Sequence, residues 1–148
     1  MNKINRKLEY ALMAIKYMSQ KIPGELTSAK EVSDCFKTPF DATARVMQQM
    51  AQKGGLLRAE YGVNGGYQIT KDLGKVSVHE LIEVIEGPMV MVKCLNKESA
   101  CDIQHTCNII SPVTALNQKL NDFYKNVSLK DLLIEKMPTK KAEVMSHG

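Results

Sequence analysis

The chain has no uninterrupted apolar run long enough to cross a membrane as a helix. Its first residues, Met1-Asn2-Lys3-Ile4-Asn5-Arg6-Lys7, are basic, and the stretch after them alternates apolar and charged residues. A signal-peptide core is therefore missing. Also missing are a nucleotide-binding glycine loop and paired carboxylates beside a nucleophile, which argues against an enzyme. No internal repeat is present, so a solenoid is excluded. The expectation is a cytoplasmic protein with no membrane contact, whose thiols are reduced or metal-bound rather than disulfide-paired. At 148 residues it is one domain, or one domain plus an extension.

Charge is modest but uneven. The net value is +4. Residues 1–75 hold 12 Lys+Arg against 7 Asp+Glu, and residues 76–148 hold 8 against 9. A basic half suits a polyanion such as nucleic acid, although solvated surfaces often look the same.

Residues 5–20 read as a helix, with Leu8, Ala11, Leu12, Ile15 and Met18 at three- and four-residue spacing. Pro23-Gly24 ends it. A second helix starts at Thr27 or Ser28, where Ser28 and Glu31 form a capping box. A third has Thr38 as a possible cap, Pro39 and Asp41 in its first turn, and a stop at Gly54-Gly55. Two short helices joined by a tight turn fit a helix-turn-helix, or an ordinary helical hairpin. The next stretch tilts the balance. Leu56–Tyr61 and Tyr67–Thr70 read as strands around the glycine-rich tip Gly62-Val63-Asn64-Gly65-Gly66, which makes a wing.

A fourth helix is expected over Val78–Glu86, capped by Ser77, with His79 on its surface. A longer helix over 111–127 carries Val113, Leu116, Leu120, Phe123 and Val127 in a heptad-like seam. That seam suits a second copy of the chain, with packing on its own domain as the alternative. Ser128 caps a short last helix. The fold class is mainly α with a small β-hairpin: a winged helix-turn-helix plus a long dimerisation helix. The expected divisions are a DNA-binding region at 1–75, a connecting helix and cysteine loop at 76–110, dimerisation and terminal helices at 111–137, and a disordered tail at 138–148.

On the polar side of the third helix, Arg45 and Gln48 can pair with guanine and adenine edges. Thr38 and Thr43 suit phosphates or thymine methyls. Arg58, Asn64 and Lys71 flank the wing and would position a duplex. Cys94, Cys101 and Cys107 fall within fourteen residues, a density that points to a soft metal or an iron–sulfur centre. Zinc with His105, or a bare thiol switch, are the alternatives. Cys35, far away in sequence, reads as a packed or idle thiol.

Tyr10-Ala11-Leu12, the wing tip, the three cysteines and Val127-Ser128-Leu129-Lys130-Asp131-Leu132 occur together and in order. In this the chain resembles the Rrf family of bacterial winged-helix, iron–sulfur transcription regulators, over about residues 1–136. Cys101–Cys107 looks closest to the nitric-oxide-sensing (NsrR-like) branch rather than the cluster-homeostasis (IscR-like) one.

The resemblance implies a homodimer on a palindromic operator in double-stranded DNA. It also implies a [2Fe–2S] or [4Fe–4S] cluster on the three cysteines plus one other ligand. The His that serves in one branch is replaced here by Ile110. Some members use an acid of the first helix from the partner subunit, and Glu9 matches that position. Two departures stand out: Tyr61 replaces the usual Arg before the wing glycine, and Gly54-Gly55 has an extra residue. The expected function is a transcription regulator, a repressor by that likeness, whose operator affinity follows a cluster sensing nitric oxide, redox or iron status. The alternatives are an electron carrier or enzyme using a three-cysteine cluster, or a zinc or thiol-switch regulator.

Overall fold

Helix α1 (Arg6–Ser19) begins where the Asn5 side chain accepts the Leu8 N–H at 3.0 Å. Leu8, Ala11, Ala14, Ile15 and Met18 form its buried stripe. The two alanines leave room for α3 to lie close against it. The computed structural model describes residues 4–89 and 108–135, so Cys94, Cys101, Cys107, His105 and the tail beyond 135 lie outside the described residues.

Helix α2 (Ala29–Phe36) starts with Ser28 Oγ accepting the Glu31 N–H at 3.0 Å, as the capping pattern predicts. It ends at Lys37, whose φ of 57° is left-handed. That conformation breaks the helix and turns the chain through Thr38 and Pro39 into α3 (Phe40–Gln52). Pro39, not Thr38, holds the cap position, and no side chain caps the helix. Val46, Met47 and Met50 bury the inner side of α3, and Val32 does so for α2.

Strands β1 (Leu57–Glu60) and β2 (Gly66–Ile69) pair antiparallel, with Leu57 opposite Ile69 and Glu60 opposite Gly66. Thr27 adds a third edge through reciprocal backbone bonds with Tyr67 of 2.9 and 2.8 Å. A Cβ on Gly66 would sit 2.9 Å from the Thr27 carbonyl group, so only glycine lets the two backbones approach this closely. A short 3-10 helix at Leu73–Lys75, absent from the sequence reading, leads into α4 (Val78–Glu86), which Ser77 caps.

Helix α5 (Ile110–Lys125) has no buried residue, although Tyr124 packs partly on the core. Leu116 is 48% exposed and Phe123 57% exposed. Val127 leaves the expected seam. It lies beyond the Asn126 cap, and its carbonyl accepts the Val78 N–H at 2.8 Å. The Leu129 N–H then donates to Val76 at 2.9 Å, and the Leu129 side chain is fully buried. These contacts seat α6 (Leu129–Leu133) back on the winged-helix unit.

Two further expectations change. His79 is buried, not on the surface, with Nε2 3.4 Å from Glu83 one turn on. Cys35 is exposed, not packed, on the outer side of α2.

Candidate nucleic-acid interface

The inner side of α3 is fixed in the core, which forces its other side outward. Arg45 and Gln48 are both exposed there, three residues apart and therefore on one face. Asp41 is exposed in the first turn and Phe40 is half exposed. Arg offers a two-pronged donor, and Gln offers both a donor and an acceptor. That is the equipment needed to read base edges in a major groove.

The threonines do something else. Thr43 is fully buried, and its hydroxyl donates to the Pro39 carbonyl at 2.8 Å. Its oxygen lies 2.7 Å from that of Thr38. Because a carbonyl can only accept, the Thr43 proton is committed, and Thr38 must be the donor of the pair. A phosphate needs a donor, and Thr38 has spent its only one. The two hydroxyls thus pin the turn between α2 and α3, which takes buried Thr43 off the DNA surface and leaves Thr38 without a free donor for a phosphate.

Beneath that turn, α1 and α2 are fastened together. The Tyr17 hydroxyl donates to Glu31 at 2.5 Å, and Lys21 Nζ lies 2.5 Å from the same carboxylate oxygen. The hydrogen bond to that carboxylate, then burial, push Tyr17 up to about 12. Burial alone would raise Glu31. The Lys21 and Tyr17 donors and the Ser28 backbone outweigh it and hold Glu31 below the usual carboxylate range.

At the wing, the Gly65 N–H donates to the Gly62 carbonyl at 3.1 Å, so Val63 and Asn64 are the central residues of a closed turn. Tyr61 is 94% exposed and Val63 fully so. Arg58 is not a free cation: its Nε donates to Glu60 at 3.0 Å, with Gln68 on the same oxygen at 3.4 Å. Lys71 is exposed at the wing root.

Glu9 lies in the first turn of α1, half exposed, with Arg6 3.3 Å away. Asn5, which caps that turn, also donates to the Glu86 carboxylate at the end of α4. Glu9 lies one helical turn after Asn5, whose side chain is bonded to the end of α4. Among the described residues no three His, Cys, Asp or Glu converge as a metal site. Sequence reading missed the Tyr17–Glu31–Lys21 cluster, which joins residues fourteen apart and has no local signature.

A family model described as Rrf2, iron-dependent transcriptional regulator, matches residues 4–135. The chain belongs to the Rrf2 family of transcriptional regulators. It is 24% identical over 128 residues to an HTH-type transcriptional regulator of Aquifex aeolicus, covering 85% of this chain and 88% of that protein. It is 25% identical over 114 residues to the HTH-type regulator NsrR of Shouchella clausii, covering 77% and 72%. The fold is similar to that of CymR, the global cysteine regulator of B. subtilis, with a TM-score of 0.70 at 18% identity, covering 93% of this chain and 100% of the other. This Rrf2-family regulator therefore has a winged helix-turn-helix, as its hairpin and paired helices predict.

Proposed function

We propose that this chain is a cytoplasmic, homodimeric transcription regulator that binds duplex DNA. In this reading its operator affinity follows the state of a [2Fe–2S] or [4Fe–4S] cluster. The observation that carries the DNA reading is α3: its back is locked in the core while Arg45 and Gln48 face solvent beside a projecting wing. The exposed apolar side of α5, with Leu116 and Phe123, supports pairing through that helix.

Cys94, Cys101 and Cys107 would hold the cluster, and Glu9 of the partner subunit would complete it. The donor set fits the group, since three thiolates and one carboxylate together suit iron. A carboxylate is the weakest ligand of the four and leaves one position open to exchange, as a sensor requires. When bound, the cluster supplies a redox- and ligand-sensitive charge. The chain supplies the link to DNA: Glu9 sits on the helix that packs directly against α3. A ligand change at Glu9 thus acts on the support of the reading helix.

The test is the visible spectrum of protein purified without oxygen, followed by anisotropy titration of operator DNA before and after cluster removal. Each Cys→Ala change should abolish cluster loading. Glu9→Ala should leave a cluster that is present but spectrally altered and more labile. A colourless protein carrying stoichiometric zinc would move the reading to a zinc site with His105. DNA affinity equal in both states would remove the switch.

A further inference from the structure

The tip of the wing carries no positive charge, although Arg58 on β1 and Lys71 at the root flank it. From residue 59 to residue 70 the only formally charged side chain is Glu60, and it holds Arg58 at 3.0 Å. What projects from the wing instead is apolar: Tyr61, 94% exposed, and Val63, fully exposed. Single exposed apolar residues are ordinary, but two within three positions at the end of a projecting hairpin form a surface with a shape.

That shape is held. The turn is closed by the Gly65–Gly62 bond of 3.1 Å. A Cβ on Gly65 would lie 2.3 Å from the Glu60 carbonyl, and Gly62 has a φ of 125°. The wing root is pinned by the two Thr27–Tyr67 bonds. The hairpin is therefore a narrow, pre-set probe rather than an adaptable loop. Building on the DNA-binding reading above, we infer that Tyr61 and Val63 enter the minor groove beside the helix-turn-helix site and select A·T over G·C pairs there by contact, not by charge.

A·T pairs expose only acceptors on the minor-groove floor, whereas G·C adds the protruding N2 amino group. The Val63 methyls and the Tyr61 ring have nothing to accept that amino hydrogen and would be pushed off by it. The Tyr61 hydroxyl and the Asn64 amide can donate or accept, so the discrimination rests on the apolar contact and not on them. Because no cation is brought to the phosphates, no counterion is released at this contact. The wing then adds sequence preference without adding salt sensitivity.

The test uses the full-length protein and a duplex that it selects itself from a randomised pool. Wild-type affinity should fall roughly tenfold when the wing-facing A·T pairs become G·C. It should return when they become inosine·C, which lacks the N2 amino group but keeps the G·C major-groove pattern. Tyr61→Ala and Val63→Ala together should erase this discrimination while the slope of log affinity against log salt stays the same. Tyr61→Arg should steepen that slope by about one counterion. Circular dichroism should show all variants folded, since neither side chain is buried. The inference falls if inosine·C binds as poorly as G·C, or if the double variant keeps the preference. If the wild type selects no duplex at all, the DNA-binding reading itself falls.

Discussion

Thr43→Val tests whether the helix-turn-helix turn is a structural joint or part of the DNA surface. The substitution keeps the shape of a fully buried side chain and removes only its hydroxyl. Two hydrogen bonds go, one of 2.8 Å to the Pro39 carbonyl and one of 2.7 Å from Thr38. Each contributes about 1 kcal/mol net. The Pro39 carbonyl keeps the Thr43 backbone N–H at 3.0 Å, and the half-exposed Thr38 hydroxyl can turn to water, so no buried polar group is orphaned. The added methyl recovers about 0.8 kcal/mol. The net loss is about 1 kcal/mol, a drop in Tm of about 3–6 °C for a unit of this size. Thermal melts of wild type, Thr43→Val and Thr43→Ser give the stability, with the serine variant close to wild type. Anisotropy on operator and random duplexes, well below the melt, gives the affinity. Operator affinity should stay within about twofold. A Thr43→Val protein that melts like wild type but loses about tenfold on the operator alone would refute the reasoning and return Thr43 to the DNA surface.

Leu120→Asp should dissociate the dimer in sedimentation, because an unpaired charge in an apolar seam is strongly unfavourable, and a variant that stays dimeric sinks the α5 seam. Leu129→Ala should cost about 3 kcal/mol in denaturant unfolding, since the side chain is fully buried. Tyr17, pushed up to about 12, should show its ionisation only near that pH in a tyrosinate absorbance titration, and Glu31→Gln should bring it down. Its raised value stabilises the fold fully below the ordinary 10.0, and that contribution is lost as pH climbs toward 12. Glu31, held low, acts the other way: its contribution is present above the usual carboxylate range and is lost on acidification. Arg45→Ala should cost about 1–3 kcal/mol on the operator and little on random DNA.

Elements with local signatures were legible in the sequence. Ser28, Ser77 and Ser128 each cap the helix they were expected to cap, because a cap is a contact between residues three apart. The wing followed from glycine placement, and the exposed face of α3 from its apolar periodicity. What failed depends on which neighbour arrives from elsewhere. Polar type alone placed His79 and Thr43 outside, yet packing buries both. The heptad spacing carried Val127 into the seam, but the return of α6 claims its backbone instead. The pairing of Arg58 with Glu60, two residues along the same strand, was not anticipated either. The tie between the start of α1 and the end of α4 rests on a bond between residues 5 and 86, which no local pattern announces.

The paired backbone bonds around Ser77 and Ser128 have a mechanical consequence. They join the start of α4 to the chain just past the end of α5, so the two helices work like the arms of a pair of tongs riveted at one end. From the rivet, α4 extends about 14 Å and α5 about 24 Å at 1.5 Å per residue. The end of α4 is held in turn by the Asn5–Glu86 bond, so a rotation about the rivet falls to α5. The longer arm converts a small angle into the larger displacement, and it is the arm that carries the exposed Leu116 and Phe123.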